Sequence, residues 1–346
     1  MRNAGHVDRV PVRSALAPGE NTHLAREPES IDRDKVRTVW VDRAARSVDV
    51  RDEARPHAVG GSLRDFLAQL PDLLGARELR DAIDAWARAF DGGHTVLWAM
   101  GAHLVKVGLS PIVVDLLERG AIGGIAMNGA GCIHDLELAM LGGTSEDVAA
   151  SLDDGSFGMA GETARHLNEA IARGAKEGLG MGRAVGEDIL AAGFPHADRS
   201  ILAAAARLGV PVTVHVAIGT DIHHMHPGAS GAALGETSYR DFETLAGLVA
   251  TLERGVFMNI GSAVVLPEVF LKALSLARNL GYTVERFTTV DIDFIRQYRP
   301  KHNVVERPTQ RGGRGISLTG HHEILVPLLA AGFLEAVAGE ESDLAP

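Results

Sequence analysis

The sequence contains only one cysteine, Cys132, among its 346 residues. A single cysteine excludes an intrachain disulfide, and we therefore expect a reducing cytoplasmic compartment. The N-terminal stretch lacks the apolar core that a signal peptide needs. No run of apolar residues approaches the roughly 20 that cross a bilayer. These absences predict a cytoplasmic protein with no membrane partner.

Positive charge is also scarce, because 34 lysines and arginines face 45 acidic residues and the formal net charge is −11. Binding to nucleic acid requires a basic surface that neutralises phosphates, so nucleic acid is not expected as a partner. The hydrophobic content of 46% and the 40 glycines are typical of a well-packed soluble enzyme. The preference for arginine over lysine indicates a GC-rich bacterial genome and says nothing about function.

The first part of the chain has little periodicity. Residues 1–36 are polar and rich in Pro, Arg and Glu, which indicates an extension that is partly flexible. Alternating Val and Trp positions predict a short hairpin over residues 36–50. Helical spacing of Leu, Ile and Trp begins at residue 62 and continues to residue 90. We therefore predict an N-terminal extension over 1–60 and a single large catalytic domain over 61–340.

From residue 94 onward, short apolar segments alternate with helical patterns. Apolar strands joined by helices are typical of a parallel sheet that is covered on both faces. We therefore predict an α/β fold with a doubly wound, mainly parallel, Rossmann-like sheet. The predicted strands are 94–100, 122–127, 211–216, 256–260, 283–289 and 316–319, with loops over 217–237 and 291–315 and a closing helix over 322–337.

A glycine-rich turn follows the second predicted strand. Asn128, Gly129, Ala130 and Gly131 let the backbone turn tightly, and open N–H groups at the following helix start suit an anion such as phosphate. His134 stands where the dinucleotide fingerprint has its third glycine, so the motif is incomplete. The alternative is an ordinary strand-to-helix turn.

Histidines and acids concentrate in loops that follow the predicted strands, where ligands bind in parallel sheets. Imidazoles and a carboxylate suit zinc or iron, with Asp221, His224, His226 and His321 as candidate ligands. A second interpretation is acid–base and anion contacts in a nicotinamide enzyme, and a third is helix capping or backbone hydrogen bonding. The loop histidines and their acidic neighbours are His103, His134, His215, Asp221, His223, His224, His226, His321, His322 and Glu323.

Residues 296–314 carry six cations and one acid in an otherwise acidic chain. Arginine forks such as those of Arg296 and Arg299 could bind a carboxylate or phosphate, and the alternative is a solvated loop or a subunit interface. Cys132 lies near a helix start and could act as a nucleophile, although a small buried cysteine explains it equally well.

The order of these loops resembles the deoxyhypusine synthase family over about residues 94–336. Gly101-Ala102-His103-Leu104 resembles the family's first nucleotide loop, and Asn128 to Asp135 falls on its T-A-G-G-x-E-E-D turn. Thr220-Asp221 resembles the T-D of the next cofactor loop. Gly261-Ser262-Ala263 resembles its triple-glycine turn, and Val326-Pro327-Leu328-Leu329 matches the closing helix. The resemblance implies an NAD-binding fold and a homotetramer with cofactor sites at subunit interfaces.

The sequence departs from this family where the chemistry occurs. The family's active-site lysine lies in a W-G-K segment, and residues 303–312 here contain neither Trp nor Lys. His134, His226 and His321 stand where the family has acids that hold a polyamine, and a dicationic substrate would meet the wrong charge. Deoxyhypusine synthesis itself is therefore not expected.

We predict an NAD-dependent transferase or lyase that transiently oxidises a small, anionic metabolite before group transfer or elimination. The alternatives are a zinc- or iron-dependent hydrolase or lyase and a non-catalytic nucleotide sensor. Predicted catalytic residues are His134, His226, His321 and Glu323. Predicted substrate contacts are His224, Glu268, Arg296, Arg299 and His322. Predicted cofactor contacts are Gly101, Ala102, His103, Asn128, Gly129, Ala130, Gly131, Asp221, Gly261, Ser262 and Ala263.

Overall fold

The computed structural model describes residues 30–343, and side chains up to residue 339. Its centre is one six-stranded sheet in which every pair of neighbouring strands is parallel. The strands follow the order β3-β2-β1-β4-β5-β6. This is the order of the doubly wound dinucleotide-binding fold, with the reversal between β1 and β4. The strands are β1 Val96–Met100, β2 Gly124–Asn128, β3 Val212–His215, β4 Val256–Ile260, β5 Thr288–Asp293 and β6 Arg314–Thr319.

Helices connect the strands and cover both faces of the sheet. The predicted helix over 104–119 is divided into two, because Gly108 has a φ of +80° and Pro111 opens the second helix. The helices are α1 Leu63–Gln69, α2 Leu74–Asp91, α3 His103–Lys106, α4 Ser110–Glu118, α5 Gly129–Leu141, α6 Val148–Ser151, α7 Gly161–Glu177, α8 Met181–Ala192, α9 Ile201–Leu208, α10 Gly231–Ala250, α11 Val265–Asn279, α12 Tyr298–Pro300 and α13 His322–Asp343, and a π-helical turn, Lys301–Glu306, continues α12.

The alternation of strand side chains explains why the sheet is buried on both faces. In β1, Val96, Trp98 and Met100 join the core packed beneath α2, α5, α9 and α13. Leu97 and Ala99 point to the opposite face and pack with the helices α10 and α11. Fully apolar strands of this kind are expected when helices cover both faces. The predicted fold class is therefore confirmed.

Three further local predictions are wrong. Helices begin inside both predicted loops, because α10 starts at Gly231 and α12 starts at Tyr298. The predicted hairpin over 36–50 is absent, since the structure has 3-10 turns at Val41–Arg43 and Val50–Asp52 and no strand between residues 30 and 50. The predicted fifth strand was placed five residues too early, because β5 begins at Thr288. The polar side chains of Asp291 and Asp293 made the second half of this strand look like a loop, although its backbone pairs with β4 and β6.

The two ends of the described chain differ in how they relate to the sheet domain. Residues 30–47 form a small unit of their own with exposed Val39 and Trp40. The extension over 1–60 stays a prediction, and its residues 1–29 lie outside the described part. By length and composition the helical stretch His322–Gly339 could cross a membrane, contrary to expectation. Within the fold, its Phe333 stacks on Trp86 of α2 with ring centroids 4.1 Å apart.

Candidate functional site

The loops after β1 and β4 meet at the point where the strand order reverses. A Cβ atom on Gly101 would lie 2.1 Å from the carbonyl oxygen of Gly261, so these loops touch through their backbones. The Gly101 N–H donates to the carbonyl oxygen of Ile260 at 2.9 Å. Only glycine at position 101 allows this approach. Open α/β sheets bind ligands beside this reversal, at the carboxyl ends of the strands.

The glycine-rich turn after β2 forms the start of α5, as predicted. Asn128 caps this helix, because its side-chain oxygen accepts a hydrogen bond from the Gly131 N–H at 3.0 Å. A Cβ atom on Gly129 would lie 2.0 Å from Oδ2 of Asp221. The missing side chain of Gly129 therefore makes room for the Asp221 carboxylate. Two of the predicted cofactor loops are in contact here.

Asp221 and His224 form a buried pair without complete hydrogen bonding. The Gly219 N–H donates to His224 Nδ1 at 3.1 Å, so the neutral imidazole carries its proton on Nε2. Nε2 lies 3.8 Å from Asp221 Oδ2, and neither atom has a hydrogen-bond partner. Burial raises the pKa of Asp221 to about 6. The pair thus presents one donor and one acceptor, both unsatisfied.

His223, between them in sequence, is completely buried. Neither ring nitrogen has a partner, and its ring centroid lies 4.4 Å from that of His224. Burial lowers the pKa of His223 to about 4, so this ring is neutral at physiological pH. An unpaired buried polar group lowers the free energy of unfolding by about 1–3 kcal/mol, so this short turn destabilises the fold.

His322 occupies the other side of the strand reversal. Its Nε2 donates to the carbonyl oxygen of Ile292 at 3.1 Å, so Nδ1 is the free acceptor, and Nδ1 is buried without a partner. Burial lowers the pKa of His322 and keeps the ring neutral. The ring packs against Gly261 and makes an edge contact with His103 at a centroid distance of 5.2 Å.

Asparagine and aspartate side chains lie at the ends of β4 and β5. The Asn259 amide donates to Asp291 Oδ1 at 2.8 Å and to the Ser262 carbonyl oxygen at 3.0 Å, while its own Oδ1 has no partner. Burial raises the pKa of Asp291 to about 6. Asp293 Oδ1 lies 4.0 Å from His322 Nε2. The hydroxyl oxygen of Ser262 accepts from the Leu266 N–H at the start of α11.

Two of the predicted catalytic histidines already use a ring nitrogen within the fold. His134 Nδ1 donates to Thr144, whose hydroxyl donates to Glu137 at 2.5 Å, which ties α5 to the loop that follows it. His226 Nε2 donates to the carbonyl oxygen of Gly158 at 2.8 Å. His215 is similarly engaged, with Nε2 3.0 Å from Thr213 Oγ1. Hydrogen bonding is therefore part of the role of each ring.

His321 and Glu323 face away from the buried groups. The His321 side chain is 70% exposed, and its Nδ1 lies 3.6 Å from Glu323 Oε1. Their neighbour His322 is the ring that points inward. The structure therefore places His322, rather than His321, among the unsatisfied groups at the carboxyl edge.

Most of the cations between residues 296 and 314 are engaged by acids or amides. Arg299 Nε lies 3.4 Å from Glu268 Oε1, which also accepts from Asn303 at 2.8 Å. Lys272 contacts the same carboxylate. Arg296 has no ion pair within residues 30–339, although its charge acts on Asp291. The predicted contacts Glu268 and Arg299 therefore neutralise each other.

The metal interpretation and the nucleophile interpretation find little support. Within residues 30–343, no group of three or more His, Cys, Asp or Glu side chains is arranged to hold a metal ion. Cys132 is completely buried, and burial with nearby acids raises its pKa well above the ordinary value. A thiol in this environment is a poor nucleophile.

Three members of the site were absent from the predicted set. Asn259 lies in a segment that we assigned to strand interior, and Asp291 and Asp293 lie in the predicted loop 291–315. Their signal was a polar side chain at the end of an apolar strand, next to a predicted turn. That signal becomes readable only when the strand ends are known.

No family model matches the sequence, and no curated protein matches it. Solved structures of similar fold include ArgZ, an arginine dihydrolase from the ornithine-ammonia cycle in cyanobacteria, at 16% identity and a TM-score of 0.49. That match covers 78% of this chain and 33% of ArgZ, so the chain spans about a third of the ArgZ length.

Two further solved structures are similar. AgrE, solved as a ternary complex with ornithine and NAD+, is 13% identical over 78% of this chain and 35% of its own, with a TM-score of 0.49. A protein from Entamoeba histolytica, provisionally assigned as a deoxyhypusine synthase, is 11% identical over 82% of this chain and 97% of its own, also at 0.49. Each neighbour's ligands and activity remain its own.

Proposed function

We propose that this chain is an NAD-dependent enzyme that acts on a small metabolite at the carboxyl edge of its sheet. The observation that supports this proposal most is the pair Asp221–His224, whose facing side-chain atoms have no hydrogen-bond partner. Asp221 packs against Gly129 of the α5 turn. It lies at the carboxyl edge of a sheet with the 3-2-1-4-5-6 strand order, which is where dinucleotides bind in this architecture.

The unsatisfied atoms fit a ribose hydroxyl of the cofactor. A hydroxyl both donates and accepts a hydrogen bond. It could accept from His224 Nε2–H and donate to Asp221 Oδ2, which would satisfy both buried atoms. A carboxylate in this role is the usual ribose contact of the doubly wound fold. The turns Gly101-Ala102-His103, Asn128 to Gly131 and Gly261-Ser262-Ala263 would hold the rest of the dinucleotide.

NAD would accept a hydride from a substrate carbon, so the chain must supply a group that takes a proton. His322 is the ring we propose for this role, because it is neutral and its Nδ1 lone pair is free. The carbonyl oxygen of Ile292 fixes its tautomer and orientation. A neutral imidazole held in one tautomer is ready to act as a general base.

The substrate would be anionic, and Arg296, a cation whose charge acts on Asp291, would bind it. Transient oxidation would activate the substrate for elimination or for group transfer, as the sequence predicted. Residues 303–312 contain no lysine to receive a group. Transfer would therefore go directly to a second substrate or to water.

Calorimetric titration with NAD tests this proposal. We expect saturable binding to the wild-type chain and binding about tenfold weaker to Asp221→Asn, which corresponds to ~1.4 kcal/mol. Asp115→Asn, at an exposed ion pair with Arg119, is the matched control and should bind NAD as the wild type does. Absence of NAD binding, or stoichiometric zinc or iron in its place, would sink the proposal.

A further inference from the structure

A cavity of about 310 Å³ lies between α7 and the turn 226–228, and none of the roles above uses it. Its polar lining comes from Arg165, Asn168, Glu169 and His226. Alanine, glycine and Pro227 form the remainder of the wall. The volume is at the lower end of the range for small-molecule sites.

Asn168 carries the observation that points to a ligand. Its side chain is only 5% exposed, and its Nδ2 donates to the carbonyl oxygen of His223 at 3.1 Å. This bond fixes which end of the amide is nitrogen, so the remaining atom is the oxygen Oδ1. Oδ1 is buried and has no hydrogen-bond partner. A buried acceptor without a donor destabilises the fold, and a ligand donor would remove that destabilisation.

The second wall group is also an acceptor. His226 Nε2 donates to the carbonyl oxygen of Gly158, so in the neutral ring Nδ1 keeps its lone pair. Arg165 and Glu169 form an ion pair of 3.4 Å beside them, with side chains that are 54% and 64% exposed. The wall of the cavity thus carries the acceptor Oδ1 of Asn168 and the ring nitrogen Nδ1 of His226 beside a guanidinium that can donate.

We propose that this cavity binds a primary carboxamide. The two N–H groups of a carboxamide would donate to Asn168 Oδ1 and His226 Nδ1, and its carbonyl oxygen would accept from Arg165. A carboxylate of the same shape has no proton for either acceptor. The carboxamide could come from the nicotinamide end of a bound cofactor or from a free amide. The inference stands independently of the proposed NAD chemistry.

The test compares nicotinamide with nicotinic acid, which replaces the carboxamide by a carboxylate. Saturation-transfer NMR or calorimetry on the full chain should give saturable binding of nicotinamide and at least tenfold weaker binding of nicotinic acid. Equal binding of the two compounds, or no saturable binding of nicotinamide, would overturn the proposal.

Glycine variants locate the binding. A Cβ atom on Gly228 would lie 3.8 Å from Asn168 Cβ, an ordinary contact, so Gly228→Leu should fill the cavity and abolish nicotinamide binding. Gly161→Leu, at the start of α7, blocks the same cavity from a position where a Cβ meets no atom within 4 Å. Gly235→Leu, in α10 and outside the cavity, is the matched control and should bind normally.

If both cavity variants keep the wild-type affinity and the wild-type unfolding temperature, nicotinamide binds elsewhere and the proposal fails. A titration with NAD then separates the sources of the amide. Displacement of nicotinamide by NAD from the wild type, together with weaker NAD binding to Gly228→Leu, assigns the cavity to the cofactor's own carboxamide. Simultaneous binding of both assigns it to a free amide.

Discussion

Asp135 and Asp221 are both buried carboxyl groups, and burial raises the pKa of each to about 6. They differ in their partners. Asp135 accepts from the Ser200 hydroxyl at 2.6 Å and from the N–H groups of Ile201 and Leu202, so it caps the start of α9. Asp221 Oδ2 has no partner.

The comparison separates a structural carboxylate from a candidate ligand-binding one. Burial raises the pKa of both groups, and buried ion and hydrogen-bond networks show such shifts as readily as active sites do. Hydrogen-bond satisfaction is the more selective criterion. Asp241 belongs with Asp135, because it accepts from the N–H groups of Gly182 and Val214.

Removing the carboxylate of Asp135, which is fully hydrogen-bonded, should have the largest effect on the free energy of unfolding. Asp135→Ala leaves the Ile201 and Leu202 N–H groups buried and unpaired, and we expect the free energy of unfolding to fall by about 3 kcal/mol. Urea denaturation measures this directly. A loss below about 1 kcal/mol would show that water replaces the carboxylate. Asp135 would then no longer differ from Asp221 as a structural carboxylate.

Removing the charge of Asp221, the carboxylate without a partner, should instead increase the free energy of unfolding. Asp221 has a folded pKa above its unfolded value of 3.8, so its contribution to stability is fully present below about pH 4 and is lost as pH rises through about 6. Asp221→Asn cannot ionise, and it should be about 1–2 kcal/mol more stable than the wild type at pH 8.

Urea unfolding of the wild type and Asp221→Asn at pH 4 and pH 8 isolates this term, because other titrating groups cancel in the difference. Arg→Ala or Asp→Asn changes at exposed ion pairs should show no such pH-dependent difference. A stability difference that is equal at both pH values would contradict the assigned burial of the Asp221 charge.

The sequence predicted the fold class and the contact of the loops around Gly101, Gly129, Asp221 and Gly261, because strand periodicity and glycine turns are local signals. It did not predict which histidine faces inward. His321 and His322 are adjacent, and helix geometry at the start of α13 decides that His322 is buried. The use of His134 and His226 in hydrogen bonds depends on Thr144 and Gly158, which are distant in sequence.

The ionisation of Asp221 also predicts the pH dependence of NAD binding, if the proposed ribose contact is correct. An ionised Asp221 accepts a hydroxyl proton better than a protonated one, so NAD affinity should fall several-fold as pH drops below about 6. Titrations at pH 5 and pH 7.5 measure the effect. Asp221→Asn should show a flat profile over this range, and an equally steep profile in the variant would assign the titration to another group.

The smallest effect is expected at Arg299, which resembles Asp135 in being already engaged. Its partner Glu268 also binds Lys272 and Asn303, and the Arg299 side chain is 47% exposed. Exposed ion pairs contribute little, so Arg299→Ala should change the unfolding free energy by no more than about 0.5 kcal/mol.

Arg296→Ala, which removes the unpaired cation beside Asp291, should instead raise the pKa of Asp291 further. NMR titration of the Asp291 carboxyl carbon measures this shift. If Arg299→Ala shifts that titration as much as Arg296→Ala does, Arg299 is not neutralised by Glu268 and returns as a substrate contact.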